Sequence, residues 1–311
     1  MSQIRAMGAL EWGFLGLLSI LWGGSFFFIK VALSAFHPLA IVFFRVCIGA
    51  VLLLLFIRLS GYQLPRSRSV WGALLVMSLL NNVIPFSLIT WGQQFISAGL
   101  ASLLNASTPF FTVIVAHLFT KDEKLTFPKI AGIILGFCGV AVLIGLDSLR
   151  RGQNTLPGEL AIIGATVSYA FAGTWGRRFR TLGVAPMITA TGQLVCSTVV
   201  LLPLLFFVRQ PWTVPFPSLY PVGALLGLSF LSTALAYVLY FRILSTSGAT
   251  NVLLVTFLLP VTAILLGILL LGETFQLRHG IGMALIGAGL VAVDGRLLIK
   301  IKEMKVRERS I

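Results

Sequence analysis

Ser78, Asn82 and Pro85 recur at three- to four-residue spacing, with Asn81 adjacent; Ser229, Thr233 and Tyr237 do the same, with Ser232 and Tyr240 on a neighbouring stripe. On a helix such spacing gathers side chains on one face. Ser102, Asn105, Pro109 and Thr112 make a third face, and Thr256 and Pro260 a sparser fourth. Trp22, Ser25, Tyr169 and Trp175 offer further aromatic and hydroxyl surface. The chemistry on offer is recognition by hydrogen bonds and rings, because the chain has no HExxH, no GxSxG and no acidic pair within its apolar spans. The three cysteines, Cys47, Cys138 and Cys196, lack paired spacing, so neither a disulfide framework nor a metal site is indicated. The candidate substrate-binding set is therefore Trp22, Ser25, Ser78, Asn82, Asn105, Tyr169, Trp175, Thr233, Tyr237 and Thr256. The competing reading gives the amides and hydroxyls to interhelical hydrogen bonds of about 1 kcal/mol each.

Charge enters the apolar stretches at few places. Arg45 lies about two turns beyond Pro38, roughly 10 Å along a helix, where an Arg needs a partner or water. It could receive an anionic group such as a carboxylate; equally it could snorkel to the interface or bond helix-end carbonyls, and both readings stay open. Lys30 and Arg177 stand at equivalent span ends on opposite sides, as entrance charges or as anchors. Glu123 and Glu273 follow equivalent helices and either hold gating contacts with Lys124, Lys129 or Arg278 or cap the next helix.

The elements that must position these residues are membrane spans. Hydrophobic residues make up 58% and charged residues 10% of the 311, and mean hydropathy is +1.00, outside the soluble range. Runs long enough to cross a bilayer, roughly 20 residues each, fall at 12–32, 39–57, 71–90, 95–119, 129–146, 159–177, 187–208, 219–241, 249–271 and 280–299. The second half rewrites the first. Gly72-Ala73-Leu74-Leu75 returns as Gly223-Ala224-Leu225-Leu226 and Pro109 as Pro260, at 223 − 72 = 260 − 109 = 151; Glu123 matches Glu273 at 150, and Trp22 and Lys30 match Tyr169 and Arg177 at 147. Five spans per half is an odd number, so the copies must be inverted. The expected fold is an all-α membrane protein of ten transmembrane helices in two inverted five-helix repeats, over 1–146 and 159–299, with an inter-repeat loop at 147–158 and a basic tail at 300–311.

The net charge of +14 follows the membrane and not a nucleic acid. Arg58, Arg66 and Arg68, then Lys121, Lys124 and Lys129, then Arg177, Arg178 and Arg180 occupy alternate loops, which with the tail places both termini in the cytoplasm. The opposite side holds chiefly Arg150, Arg151, Arg209 and Arg278, offset by Asp147, Glu159 and Glu273. Trp71 and Trp212 read as interfacial belt residues. The apolar N-terminal stretch is a retained first helix rather than a cleaved signal, since its removal would leave the halves unequal. Gly132, Gly136 and Gly139, and Gly280, Gly282, Gly287 and Gly289, form small-residue faces that pack span five on span ten, with homodimerisation the alternative.

Leu21 to Lys30, reading LWGGSFFFIK, with Arg45 early in the next span, resembles the opening of the drug/metabolite transporter superfamily in its EamA branch. So does the ending of each half. A Pro lies inside each fourth helix (Pro109, Pro260) and a Glu follows it, in FTKDEKLTF (Phe119 to Phe127) and LLLGETF (Leu269 to Phe275), before a Gly-rich fifth helix. The resemblance spans about residues 12 to 296. It implies a ten-helix transporter of the bacterial inner membrane, with a central cavity between the repeats, moving small organic molecules, often outward. One departure is that many relatives carry an acidic residue just before the second Pro, where this chain has Leu259.

The expectation is a secondary transporter working by alternating access, with Pro109 and Pro260 as hinges and spans one, three, four, six, eight and nine around a midplane cavity. Its partners are a small-molecule substrate and the lipid bilayer, with no cofactor. No carboxylate falls near the middle of a span, where proton-driven antiporters commonly place one. A channel or a non-transporting receptor is the alternative, although neither requires inverted repeats with matched kinks.

Overall fold

The computed structural model describes residues 8–121, 123–150, 155–207, 218–247, 252 and 254–294. The basic tail at 300–311, Arg151, Arg209 and Trp212 lie outside them. Among the described residues ten apolar helical spans and no strand are found. The first half holds α1 (Ala9–Ala32), α2 (Pro38–Leu59), α3 (Arg68–Gly92), α4 (Ala98–Phe119) and α5 (Phe127–Gly145). The second holds α6 (Leu156–Thr181), α7 (Pro186–Phe206), α8 (Leu219–Leu244), α9 (Val255–Leu271) and α10 (Leu277–Asp294). The first eight are long and apolar enough to cross a membrane, and α9 and α10 are shorter apolar helices.

The helix ends follow local chemistry. Pro38 and Pro157 stand in first turns, where a missing N–H costs nothing. Ser97 starts α4 by accepting the Leu100 N–H at 3.1 Å. Gly272, at φ 65°, ends α9 in the left-handed region that a side chain disfavours. α6 begins three residues inside the stretch expected as inter-repeat loop, because Pro157 and Glu159 suit a first turn.

Contacts at the helix ends show the inversion. Lys30, near the end of α1, donates to Gln93 O and Ile96 O just past the end of α3. There α3 meets the start of α6, where a Cβ on Gly92 would sit 2.8 Å from Gly158 O. The end of α1 and the beginning of α6 therefore share one end of the bundle, so the first helices of the two repeats run oppositely.

Lipid tails are as apolar as leucine, so close packing has to hold the helices together. α5 and α10 pack along their lengths with backbones nearly touching: a Cβ on Gly132 would fall 2.6 Å from Gly289 O, and one on Gly139 2.9 Å from Gly282 O. Elsewhere α1 packs on α9, α2 on α7, and α6 on α3 and α4.

Three irregularities interrupt this regular frame. In α3, Leu79–Val83 forms a π-helical turn, with the Ile84 N–H bonded five residues back to Leu79 O. In α8, Phe230–Leu235 does the same, with Ala236 N–H to Leu231 O. The two turns lie at the 151 offset, 230 − 79. Pro85 follows the first, but its counterpart Ala236 follows the second, so a missing N–H does not explain both. What they share is a buried polar side chain on the wide turn, Asn82 in one and Thr233 in the other.

The third irregularity sets the two prolines apart. α4 breaks into Ala98–Asn105 and Thr108–Phe119, whereas α9 runs helically through Pro260. Side chains account for the difference. Ser107 and Thr108 donate to Leu104 O and Asn105 O at 2.7 Å, taking up carbonyls that the helix ladder would use. Beside Pro260 stand Leu258, Leu259 and Val261, which can do nothing of the kind.

Candidate functional site

The two wide turns face α2 and α7 across the junction of the repeats. On one side Arg45, 7% exposed, donates from Nε to Thr233 Oγ1 at 3.0 Å, and its Cζ lies 3.7 Å from the Phe86 ring centroid. Thr233 in turn donates to Leu228 O at 2.9 Å, five residues back, a partner that the π turn brings within reach. On the other side Asn82 Nδ2 donates to Ser197 Oγ at 3.1 Å, and Asn81 Nδ2 to Gln193 Oε1 at 3.0 Å. Tyr237 joins the two sides by donating to Asn82 Oδ1 at 3.2 Å. Ser168 of α6 closes the cluster onto the first wide turn through Leu80 O at 2.7 Å.

The cluster carries the repeat symmetry in its contacts but not in its charge. Pro38 and Pro186 open α2 and α7, and 186 − 38 = 193 − 45 = 148, so Gln193 is the counterpart of Arg45. Each reaches the wide turn of the other repeat. One wall is cationic and the other neutral.

The remaining candidates divide. Asn82, Thr233 and Tyr237 meet at this cluster. Tyr169 packs against both principal apolar clusters, stays partly accessible, and lies in the electrostatic field of Arg45. Trp22 packs tilted against Tyr240 with ring centroids 5.4 Å apart and is half-buried. Ser25 and Ser78 spend their hydroxyls on their own helices, at Trp22 O and Leu75 O, so neither enters the cluster. Asn105 stands at the break in α4 with Oδ1 unpartnered, and its counterpart Thr256 is half-buried. Trp175 belongs near an end of the bundle, where its indole donates to Ala73 O and Arg178 lies over its ring. Arg45 does not snorkel: Thr233 and Phe86 hold it inside. Gln193, Ser197, Ser168 and Phe86 escaped the sequence reading, and the 148 offset from Arg45 was the signal for Gln193.

The end charges correct a second expectation. Glu273 does not cap the next helix; it reaches into the other repeat and accepts the Ala98 and Gly99 N–H groups at 2.6 and 3.0 Å. Gly272 aims it by turning the chain so that the Glu273 N–H returns to Gly267 O. Lys30 sits close by, holding the carbonyls past α3. A helix N-terminus with a carboxylate on it and a cation beside it is well closed. At the opposite end Glu123 meets Arg177, also of the other repeat, at 3.7 Å with side chains 49% and 44% exposed. Lys124 is not its partner, since its Nζ donates to His117 O and Thr120 O. A cleft of about 440 Å³, with Ser97, Glu159, Glu273, Arg278 and His279 in its walls, opens beyond the Glu273 closure, away from the expected midplane position.

The pattern of two inverted halves, each matched in full, decides the family: the EamA-like transporter family profile matches residues 11–145 and again 156–293. The chain belongs to the EamA-like transporter family. Among its relatives, the "Uncharacterized transporter YoaV" of Bacillus subtilis is 28% identical, covering 89% of this chain and 94% of that protein. The "Uncharacterized inner membrane transporter YedA" of Escherichia coli K12 is 29% identical over 93% and 92%. Protein PecM of Dickeya dadantii is 27% identical over 93% and 94%. A solved crystal structure superposes with a TM-score of 0.64 at 19% identity, covering 91% of this chain and 96% of that one, and supports the fold. The protein is thus a multi-pass membrane transporter and not an enzyme.

Proposed function

We propose that this EamA-family member is a secondary transporter of the bacterial inner membrane that carries a small organic molecule by alternating access, in the export direction, with both termini cytoplasmic. The observation that carries the reading is the inequality of two equivalent closures on either side of one polar cluster. Glu273, beside Lys30, holds one end through two backbone N–H groups, while at the other end Glu123 and Arg177 meet at 3.7 Å with side chains 49% and 44% exposed. A device that opens one end at a time needs two such closures of comparable design and different strength in any one state. The charge-rich loops support a cytoplasmic Glu123 end.

The test uses single cysteines at Asn105 or Thr256 in a background lacking Cys47, Cys138 and Cys196, labelled from each side with an impermeant thiol reagent. Cross-linking the Glu123 end shut should raise labelling from the Glu273 end. Unchanged labelling there is the channel outcome. Reporter fusions after residue 311 and within 58–70 should read cytoplasmic and fusions within 147–157 periplasmic; a cytoplasmic signal at 147–157 removes the orientation.

A further inference from the structure

We infer that Arg45 is the receptor for a carboxylate, so that the substrate is a small monocarboxylic acid with an apolar body. The inference rests on the transport reading above and names the substrate class of the same site. A guanidinium has five N–H donors in a planar fork and cannot shed its charge. In Arg45 the Nε donor is taken by Thr233 and one face is covered by Phe86. The four N–H groups on the two Nη atoms have no hydrogen-bond acceptor among the described residues. The unpartnered edge of the fork is therefore the one that pairs with a carboxylate through two parallel hydrogen bonds.

No acidic side chain among the described residues pairs with Arg45; the titratable groups in its field are the phenols Tyr169 and Tyr237. A cation at this depth without a counter-ion is strongly disfavoured, and an anion that arrives as cargo relieves it. The charge of that anion is limited by the opposite wall. Gln193, the counterpart of Arg45, is neutral and already bound to Asn81, and Lys30 is committed to Gln93 O and Ile96 O. Among the described residues of this cluster Arg45 is the one cation, which suits one negative charge and favours a carboxylate over a phosphate. Tyr169, in the field of Arg45 and with no hydroxyl hydrogen bond among the described residues, supplies a further donor, and the stacked Tyr237 and Phe241 rings supply an apolar surface.

Thermal unfolding of the purified, detergent-solubilised protein tests this with probes from benzoate to 3-phenylpropionate, their primary amides, and inorganic phosphate. The acids should stabilise at concentrations at least tenfold below those of the amides, and Arg45→Gln should erase the difference. If Arg45→Gln does not fold, Arg45→Lys, which keeps the charge and loses the fork, should narrow the ratio. Equal potency of acids and amides, phosphate matching the acids, or an acid preference that survives Arg45→Gln (or is undiminished in Arg45→Lys) overturns the assignment. These outcomes concern binding alone; side-specific labelling decides alternating access separately, and either result can fail while the other stands.

Discussion

Replacing Glu273 by Gln keeps the length of the side chain and removes half of its accepting power. The carboxylate holds two backbone N–H groups, Ala98 at 2.6 Å and Gly99 at 3.0 Å. Gln can keep one, now as a neutral bond, and turns an NH2 donor toward the other. Hydrogen bonds to charged groups are worth about 1.5–3 kcal/mol against about 0.5–1.5 for neutral ones, so the surviving bond weakens by about 1 kcal/mol. The orphaned N–H costs about 1–3 kcal/mol more, at the lower end here because Glu273 is half-buried and water can reach it. The total is about 2 kcal/mol, and at 1.4 kcal/mol per factor of ten the balance shifts about thirtyfold toward the state open at the Glu273 end. Labelling of a cysteine at Asn105 from that end should quicken by about that factor in Glu273→Gln, at near-normal protein abundance. An unchanged labelling rate, or a fall in unfolding temperature with no change in labelling, would show that the carboxylate serves folding in every state and gates nothing.

Other outcomes follow from the cluster, the break and the scaffold. Asn82→Ala and Thr233→Ala should each cut transport at least tenfold in vesicles while immunoblots show near-normal abundance; matched loss of protein would return both residues to helix packing. Pro109→Ala should change side-specific labelling more than Pro260→Ala, because only the first proline stands at a broken helix, and equal effects would refute a hinge at that break. Gly136→Ala should lower the unfolding temperature in detergent, since its Cβ would enter the buried Phe110 ring and such overpacking costs about 1–3 kcal/mol. Gly13→Ala, with open space around it, is the control expected to change nothing.

The spans were legible because their bounds are chemical: apolar runs stopped by Pro38, Ser97, Pro186 or Gly272 tolerate few alternatives, and an odd number per half forces inversion. The wide turns were not, because an i to i+5 bond in α3 or α8 is settled by where Asn82 and Thr233 find partners on other helices. Arg45 illustrates the same limit. Its sequence position permits an outward or an inward course, and Thr233, 188 residues away, decides between them. The partner of Glu273 lies 175 residues off in the other repeat, where local capping rules do not look. Gln193 was within reach, since aligning Pro38 with Pro186 sets it opposite Arg45.

The two closures also differ in what the surrounding electrolyte can do to them. The Glu123 and Arg177 side chains are 49% and 44% exposed, so dissolved ions screen their attraction over a Debye length of about 8 Å at physiological salt. The Glu273 carboxylate, seated on two backbone amides, offers mobile ions far less purchase. Under the proposed alternating access, ionic strength therefore acts on the balance of states chiefly through the Glu123 end. With the Glu123 end in the cytoplasm, as proposed, a cell that loses water and concentrates its salts would loosen that end first, coupling the carrier to osmotic conditions.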